Sequence, residues 1–251
     1  MSTHPTLRAW LAEGPFTLVM SSGFFAFFAH TGVLGEILAT GHVPTAVAGS
    51  SAGALVGGAW AAGVGPDVLG GVLSRLARDE FWDPAPGLGL LAGKKFDAIL
   101  RRLLPVTTFA ACRVPVAISV FEIARARTVA VQDGDLVDAI RASCCVPGMF
   151  HPVRVAGRAC WDGGIRDRPG LAGVPAGGRV LYHHISSRSP WRRARELAIP
   201  ARAGMVTLVI EDLPRSGPFK LEAGRRALDR AAVATHAALD LPVPADGVVR
   251  V

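Results

Sequence analysis

Gly49-Ser50-Ser51-Ala52-Gly53, entered from the apolar run Thr45 to Ala48 and left through the small-residue segment Ala52 to Ala62, reads as a strand, a tight turn and a helix. Glycines on both flanks let the backbone reverse sharply, so the hydroxyl of Ser51 stands clear. A strand that ends in such a turn belongs in a parallel sheet, and the sequence before it agrees. Phe16 to Met20 reads as a buried strand and His30 to Thr40 as a helix, giving an early β-α-β-α unit whose sheet is covered on both faces.

Beyond the turn, Pro66 to Arg78 is expected to form a helix with Val68, Leu69, Val72, Leu73 and Leu76 on one side, and Phe96 to Leu104 a second. A Pro/Gly loop, Asp83 to Gly93, lies between them. Pro115 to Glu122 and Thr128 to Val131 read as strands joined by the turn Arg125-Ala126-Arg127, and Leu136 to Ser143 as a short helix. Val153 to Val155 and Arg158 to Trp161 suggest a hairpin through Ala156-Gly157, with Asp162 just beyond it. Two further buried strands, Val180 to Ile185 and Met205 to Ile210, precede a helix over Gly224 to Leu239 and an extended tail after Pro242.

Half of the 251 residues are hydrophobic, and a chain of this length buries about 70 to 75% of its unfolded surface, so one core needs no disulfide or metal support. No Ser/Gly linker, charge block or repeat marks a boundary, and a single domain over 1–251 is expected. Cys112, Cys144, Cys145 and Cys160 are irregularly spaced in apolar sequence, which reads as small buried hydrophobes in a reduced, cytoplasmic compartment. The apolar stretch Phe16 to Ala29 follows Arg8 in the manner of a secretory signal. It nevertheless holds Ser21, Ser22 and Gly23, and it supplies the first strand and loop. No uninterrupted apolar run reaches the length of a membrane span. The net charge of +7 favours an anionic lipid surface by about 1 kcal/mol for each nearby basic residue, so peripheral membrane contact is open. The basic residues are scattered, the densest group being Arg188, Arg192, Arg193 and Arg195, and solvated faces account for them. Without interleaved aromatics or a reader module, nucleic acid is excluded as a partner.

Four ordered blocks carry a resemblance. They are Met20-Ser21-Ser22-Gly23 leading to His30-Thr31-Gly32-Val33-Leu34, then Gly49 to Gly53, then Ile140-Arg141-Ala142-Ser143-Cys144-Cys145-Val146-Pro147-Gly148-Met149-Phe150, then Asp162-Gly163-Gly164. In order and spacing these residues resemble patatin-like phospholipases, over roughly Phe16 to Ile210. The resemblance implies a three-layer α/β/α fold with a mostly parallel central sheet. It also implies a Ser51 and Asp162 dyad, with Gly49, Gly53, Gly163 and Gly164 as motif glycines, in a lipid acyl hydrolase that needs no metal and no cofactor. Two departures stand out. Where relatives carry a G-G-G-x-R-G run this chain reads Ser22-Gly23-Phe24-Phe25-Ala26-Phe27, keeping only Gly23 and placing Ala26 at the arginine. Arg168 stands before Pro169 where an asparagine and an apolar residue are usual.

A serine hydroxyl is a poor nucleophile unless a neighbour takes its proton, and a carboxylate can do so if burial lifts its pKa from about 3.9. Asp162 is the expected base. The oxyanion formed on attack needs backbone donors, expected from Ala52 at the helix start and from Gly23 and Phe24 in the first loop. A Ser-His-Asp hydrolase using His183 or His236 and an inactive lipid-binding relative stay open as alternatives. His30 is expected to be a buried, hydrogen-bonded histidine, and His151, His183, His184 and His236 lack metal-ligand spacing. Phe24, Phe25, Phe27 and Phe28 are expected in the core and pocket wall. Trp82, Leu88, Leu90 and Leu91 are expected to cover an apolar acyl tunnel.

Overall fold

The computed structural model describes residues 4–186 and 198–251, and its apolar runs assemble one main sheet between the segments that cover it. In chain order the elements are α1 (Leu7–Ala12), β1 (Thr17–Met20), α2 (Phe27–Ala39), β2 (Ala46–Ser50), α3 (Ala52–Ala61), α4 (Pro66–Arg75) and α5 (Arg78–Phe81). Then follow β3 (Gly89–Leu91), α6 (Lys94–Leu103), β4 (Val116–Glu122), β5 (Arg127–Val131), α7 (Leu136–Ser143), β6 (Gly148–Phe150), β7 (Val153–Val155) and β8 (Arg158–Asp162). The last are β9 (Val180–His184), β10 (Met205–Val209), α8 (Leu221–Leu239) and β11 (Val248–Arg250).

The main sheet runs β11-β10-β9-β1-β2-β4-β8-β7, with β5 also paired to β4. From β11 to β4 every pairing is parallel. Central parallel strands are covered on both faces and so read as near-continuous apolar runs; Leu18, Val19 and Met20 of β1 and every residue of β9 are buried accordingly. On one face Leu18, Met20, Val47 and Ile118 join the helices in the larger core, while on the other Val19, Ala48, Ala117, Val180 and Tyr182 pack with Leu171, Val174 and Ile199.

Local chemistry accounts for the helix limits. Pro66 opens α4, where its missing N–H is no loss, and Leu69 and Leu73 face inward. Asp135 caps α7 by accepting the amide of Asp138 at 2.8 Å.

Several expectations are revised. The helix expected to reach Arg78 stops at Arg75, and α2 begins at Phe27 rather than His30. The Pro/Gly loop holds β3, which pairs with β6, and Leu91 is core rather than cover, while Leu88 and Leu90 are exposed. The extended tail ends in β11, hydrogen-bonded to β10. Phe28 is buried as expected, but Phe24 is 48% exposed. All four cysteines are free, with Cys112 and Cys144 only half-buried. The Arg188, Arg192, Arg193 and Arg195 group lies outside the described residues.

Candidate active site

One edge of β4 is shared by two strands that approach from opposite directions. The parallel β2 pairs with Val116 to Ser119 and ends with Ser50 opposite Ser119; the antiparallel β8 pairs with Val120 to Glu122 and ends with Asp162 opposite Val120. The strands therefore stop at adjacent positions, and each chain must peel away. Asp162 is the last residue of its strand, not the first beyond it, and leads into a 3₁₀ turn over Gly163–Ile165. Ser51 leads into α3 at φ 53° and ψ −117°, a left-handed conformation that costs a non-glycine residue about 1 to 3 kcal/mol. The head-on meeting places the Ser51 hydroxyl 2.7 Å from Asp162 Oδ2, to which it donates a hydrogen bond. Ser51 is 8% and Asp162 4% exposed.

Each member is held from behind. Asp162 Oδ1 accepts the Gly164 amide at 2.7 Å, and the Asp162 amide donates to the Cys145 carbonyl at 2.9 Å. The Ser51 amide donates to Ser143 Oγ at 2.8 Å, and the Ser143 hydroxyl donates to the Ser119 carbonyl at 2.7 Å. The thiol of Cys144 reaches the Ser51 carbonyl at 3.2 Å. Burial and the nearby Asp162 carboxylate push the Cys144 thiol well above its ordinary pKa, and Cys145 is pushed up to about 12, so both are neutral at pH 7. The motif glycines mark close approaches. A Cβ at Gly53 would overlap the Met20 carbonyl oxygen, one at Gly163 the Ser119 carbonyl oxygen, and one at Gly49 would lie 2.6 Å from the Gly53 carbonyl carbon. At Gly164 a Cβ would meet Ser22, which brings the Asp162 turn against the loop after β1.

That loop is tied down despite its altered sequence. The Ser22 amide donates to the Arg168 carbonyl at 2.7 Å, and Ser21 Oγ accepts the Ile185 amide at 3.0 Å. A turn closed by the Ala26 amide on the Gly23 carbonyl, 3.1 Å, carries Phe25 at φ 56°, and the Ser216 hydroxyl fixes the Phe25 carbonyl at 2.9 Å. Gly23 is needed there, since a Cβ would lie 2.6 Å from that of Ala26. The Ser51 amide being taken by Ser143, the first-turn amides of α3, which have no intrahelical carbonyl to meet, begin with Ala52.

Beneath the loop His30 and His183 form a buried pair with Nδ1 to Nδ1 at 2.8 Å, and His30 Nε2 lies 2.8 Å from the Ser21 carbonyl. A carbonyl only accepts, so His30 carries its proton on Nε2 and takes the Nδ1 proton of His183. Both rings are neutral. Burial lowers His30 to about 4, the Ser21 carbonyl opposing and the Arg168 charge assisting, and burial with the neighbouring His30 and His184 rings holds His183 well below 6.5. Because these folded-state values lie below the unfolded one, the unfolded chain binds more protons between pH 6.5 and 4. The pair's contribution is complete above 6.5 and is lost as pH falls. Each such group changes stability by about 1.4 kcal/mol per pH unit inside that window. Urea unfolding at pH 6.5 and 5.0 is therefore expected to show a drop of about 2 kcal/mol from His30 alone, with His183 adding to it; a flat profile over this interval would contradict the neutral pair.

Three more histidines have partners outside this pair. His151 bonds the Ala85 carbonyl at 2.6 Å, His184 the Tyr182 hydroxyl at 3.1 Å, and His236 is exposed and paired with Glu36 at 2.7 Å. A crevice lined by Phe96, Arg141, Cys144, Cys145, Phe150 and Val153 offers about 10 Å³, room for about one water molecule. Among the described residues no cluster of three or more His, Cys, Asp or Glu could hold a metal, and no helix is long and apolar enough to cross a membrane.

The roles of Ser143 and Cys144 escaped the sequence reading although both lie in a quoted block. The available signal was a serine, followed by two cysteines, at the end of an otherwise apolar helix face.

The chain is similar to several known proteins. The family described as patatin-like phospholipase matches residues 18–174. Uncharacterized NTE family proteins of Mycobacterium bovis and Mycobacterium tuberculosis are 30% identical over 221 residues, covering 85% of this chain and 60% of theirs. The chain thus spans about 60% of the length of these curated relatives. Among solved structures, VipD from Legionella pneumophila is similar with a TM-score of 0.55 at 13% identity, over 90% of this chain and 67% of that one. That likeness is one of fold.

Proposed function

This chain belongs to the patatin-like phospholipase family, and from that premise we propose that it is a serine acyl hydrolase cleaving fatty acyl esters of phospholipids or related lipids. The single observation carrying the proposal is the buried 2.7 Å hydrogen bond from the Ser51 hydroxyl to Asp162. In the proposed cycle Asp162 accepts the Ser51 proton as the oxygen attacks the ester carbonyl, then returns it to the departing alcohol. Water, deprotonated by the same carboxylate, then cleaves the acyl-enzyme. Both steps pass through an oxyanion, for which Ala52, Gly23 and Phe24 are the proposed backbone donors, each such donor being worth about 3 to 4 kcal/mol. No metal or cofactor enters these steps.

The catalytically silent lipid-binding reading draws on the Phe25 turn in the loop after β1. One measurement separates the two. A fluorophosphonate probe is expected to add a single adduct to the protein, found by peptide mass on Ser51 and missing from Ser51→Ala. An unlabelled protein that still bound fatty acid would replace the hydrolase reading with the silent one.

A further inference from the structure

The block Ile140 to Phe150 performs none of the acyl-transfer steps, yet three consecutive residues of it bond the backbone of the dyad. Ser143 Oγ accepts the Ser51 amide at 2.8 Å, the Cys144 thiol donates to the Ser51 carbonyl at 3.2 Å, and the Cys145 carbonyl accepts the Asp162 amide at 2.9 Å. Ser143 is fully buried and uses its hydroxyl proton on the Ser119 carbonyl, so both its donor and its acceptor roles are fixed. Ser119 is itself anchored. It stands opposite Ser50 in the sheet, and its hydroxyl bonds Asp167, whose carboxylate also takes the amides of Gly170 and Leu171.

A left-handed serine persists only where its surroundings over-determine it, and the amide and carbonyl of Ser51 are the two handles by which a backbone can be gripped. We propose that Ser143 and Cys144 are positioning residues that lock Ser51 in its strained turn, and that the Cys145 carbonyl ties Asp162 to the same segment. One short stretch at the end of α7 then sets the separation between hydroxyl and carboxylate. The Ser143, Cys144 and Cys145 bonds act through the backbone of Ser51 and Asp162. This inference rests on the reading of Ser51 as nucleophile.

The test is the second-order rate of fluorophosphonate labelling at Ser51 in the wild type, Ser143→Ala, Cys144→Ala and Cys144→Ser, with turnover of a chromogenic ester measured alongside. Ser143→Ala is expected to label about ten- to a hundredfold more slowly, the range that follows from sub-ångström to 1 Å misplacement of a reacting group. Its loss should lie in kcat, with KM within about twofold. Cys144→Ala should lose about fivefold, the effect of one weak hydrogen bond, and Cys144→Ser should recover it because the hydroxyl still donates. A purely structural role would lower the thermal midpoint of Cys144→Ala without changing the labelling rate of the folded protein. Should Ser143→Ala fail to fold, the Cys144 pair carries the same test. Equal labelling rates for the wild type and the alanine variants would overturn the clamp while leaving the nucleophile intact. Absence of labelling in the wild type would overturn both.

Discussion

Replacing Ser51 by alanine or Asp162 by asparagine is expected to lower hydrolysis of a chromogenic acyl ester by at least about 10⁴-fold, with the double variant no worse than either single one. The expectation follows from the pair acting as one unit. Without the serine oxygen there is no acyl acceptor for the carboxylate to serve. With asparagine at 162 the side chain keeps its shape and can still accept the Gly164 amide, now bonded to Oδ1 at 2.7 Å. The atom facing Ser51 then becomes an NH₂ group, which donates a proton where the chemistry requires one to be accepted. Groups that act together lose their effect together, so their free-energy costs do not add. An Asp162→Asn protein retaining half the wild-type turnover would rule out the carboxylate as the base.

The second large effect concerns folding. Gly53→Ala should lower stability by about 3 kcal/mol or more, because the added methyl carbon would overlap the Met20 carbonyl oxygen and lie 2.8 Å from Met20 Cβ. Neither obstacle is the free end of a flexible side chain; one is backbone and the other a Cβ fixed to it. Relief requires α3 to move away from β1, which would also disturb the Ser51 turn at the helix start. At about 2 to 4 °C per kcal/mol for a protein of this size, the thermal midpoint should fall by about 10 °C. Gly71→Ala provides the contrast. In α4 its new carbon comes no nearer than 3.6 Å to the mobile Arg75 guanidinium, so the lower backbone entropy of alanine should raise stability by about 0.5 to 1 kcal/mol. Loss at Gly53 no larger than any change at Gly71 would mean that the close approach of α3 to β1 is not rigid.

What the amino-acid order made readable was whatever depended on neighbouring residues. The run into Gly49, the apolar stretches of β1, β4 and β9 and the hairpin ending at Asp162 all announce themselves through local period or turn chemistry. Short elements whose stability comes from distant partners did not. β3 is three residues long in a Pro/Gly-rich loop and exists because β6 lies alongside; β11 forms on β10 from a tail with no strong pattern. The six-residue α1 is too brief to show a period, although Thr6 caps it at 3.1 Å through the Ala9 amide. Within the site, sequence singled out Ser51 and Asp162, whose oxygens the fold brings together, but not the residues gripping them. Ser143 acts on Ser51 across 92 positions, and a buried serine that satisfies one amide and one carbonyl has no signature in a linear string. Phe24 misled for a related reason: an aromatic residue in a run of aromatics reads as core, while the turn at Phe25 directs its neighbour outward.

Because β2 and β8 end against successive residues of β4, the spacing of Ser51 and Asp162 is quantised. Sliding β8 by one residue would exchange its inward and outward faces, so the nearest alternative register is two residues away, about 7 Å along the strand. That step exceeds the reach of any hydrogen bond. Gradual adjustment of the gap through sheet pairing is thus unavailable to selection or to an engineer: only side-chain choice and the curvature of the two departing turns can vary it continuously, and lineages that lengthen or shorten this part of the sheet must do so in pairs of residues or forfeit the encounter altogether.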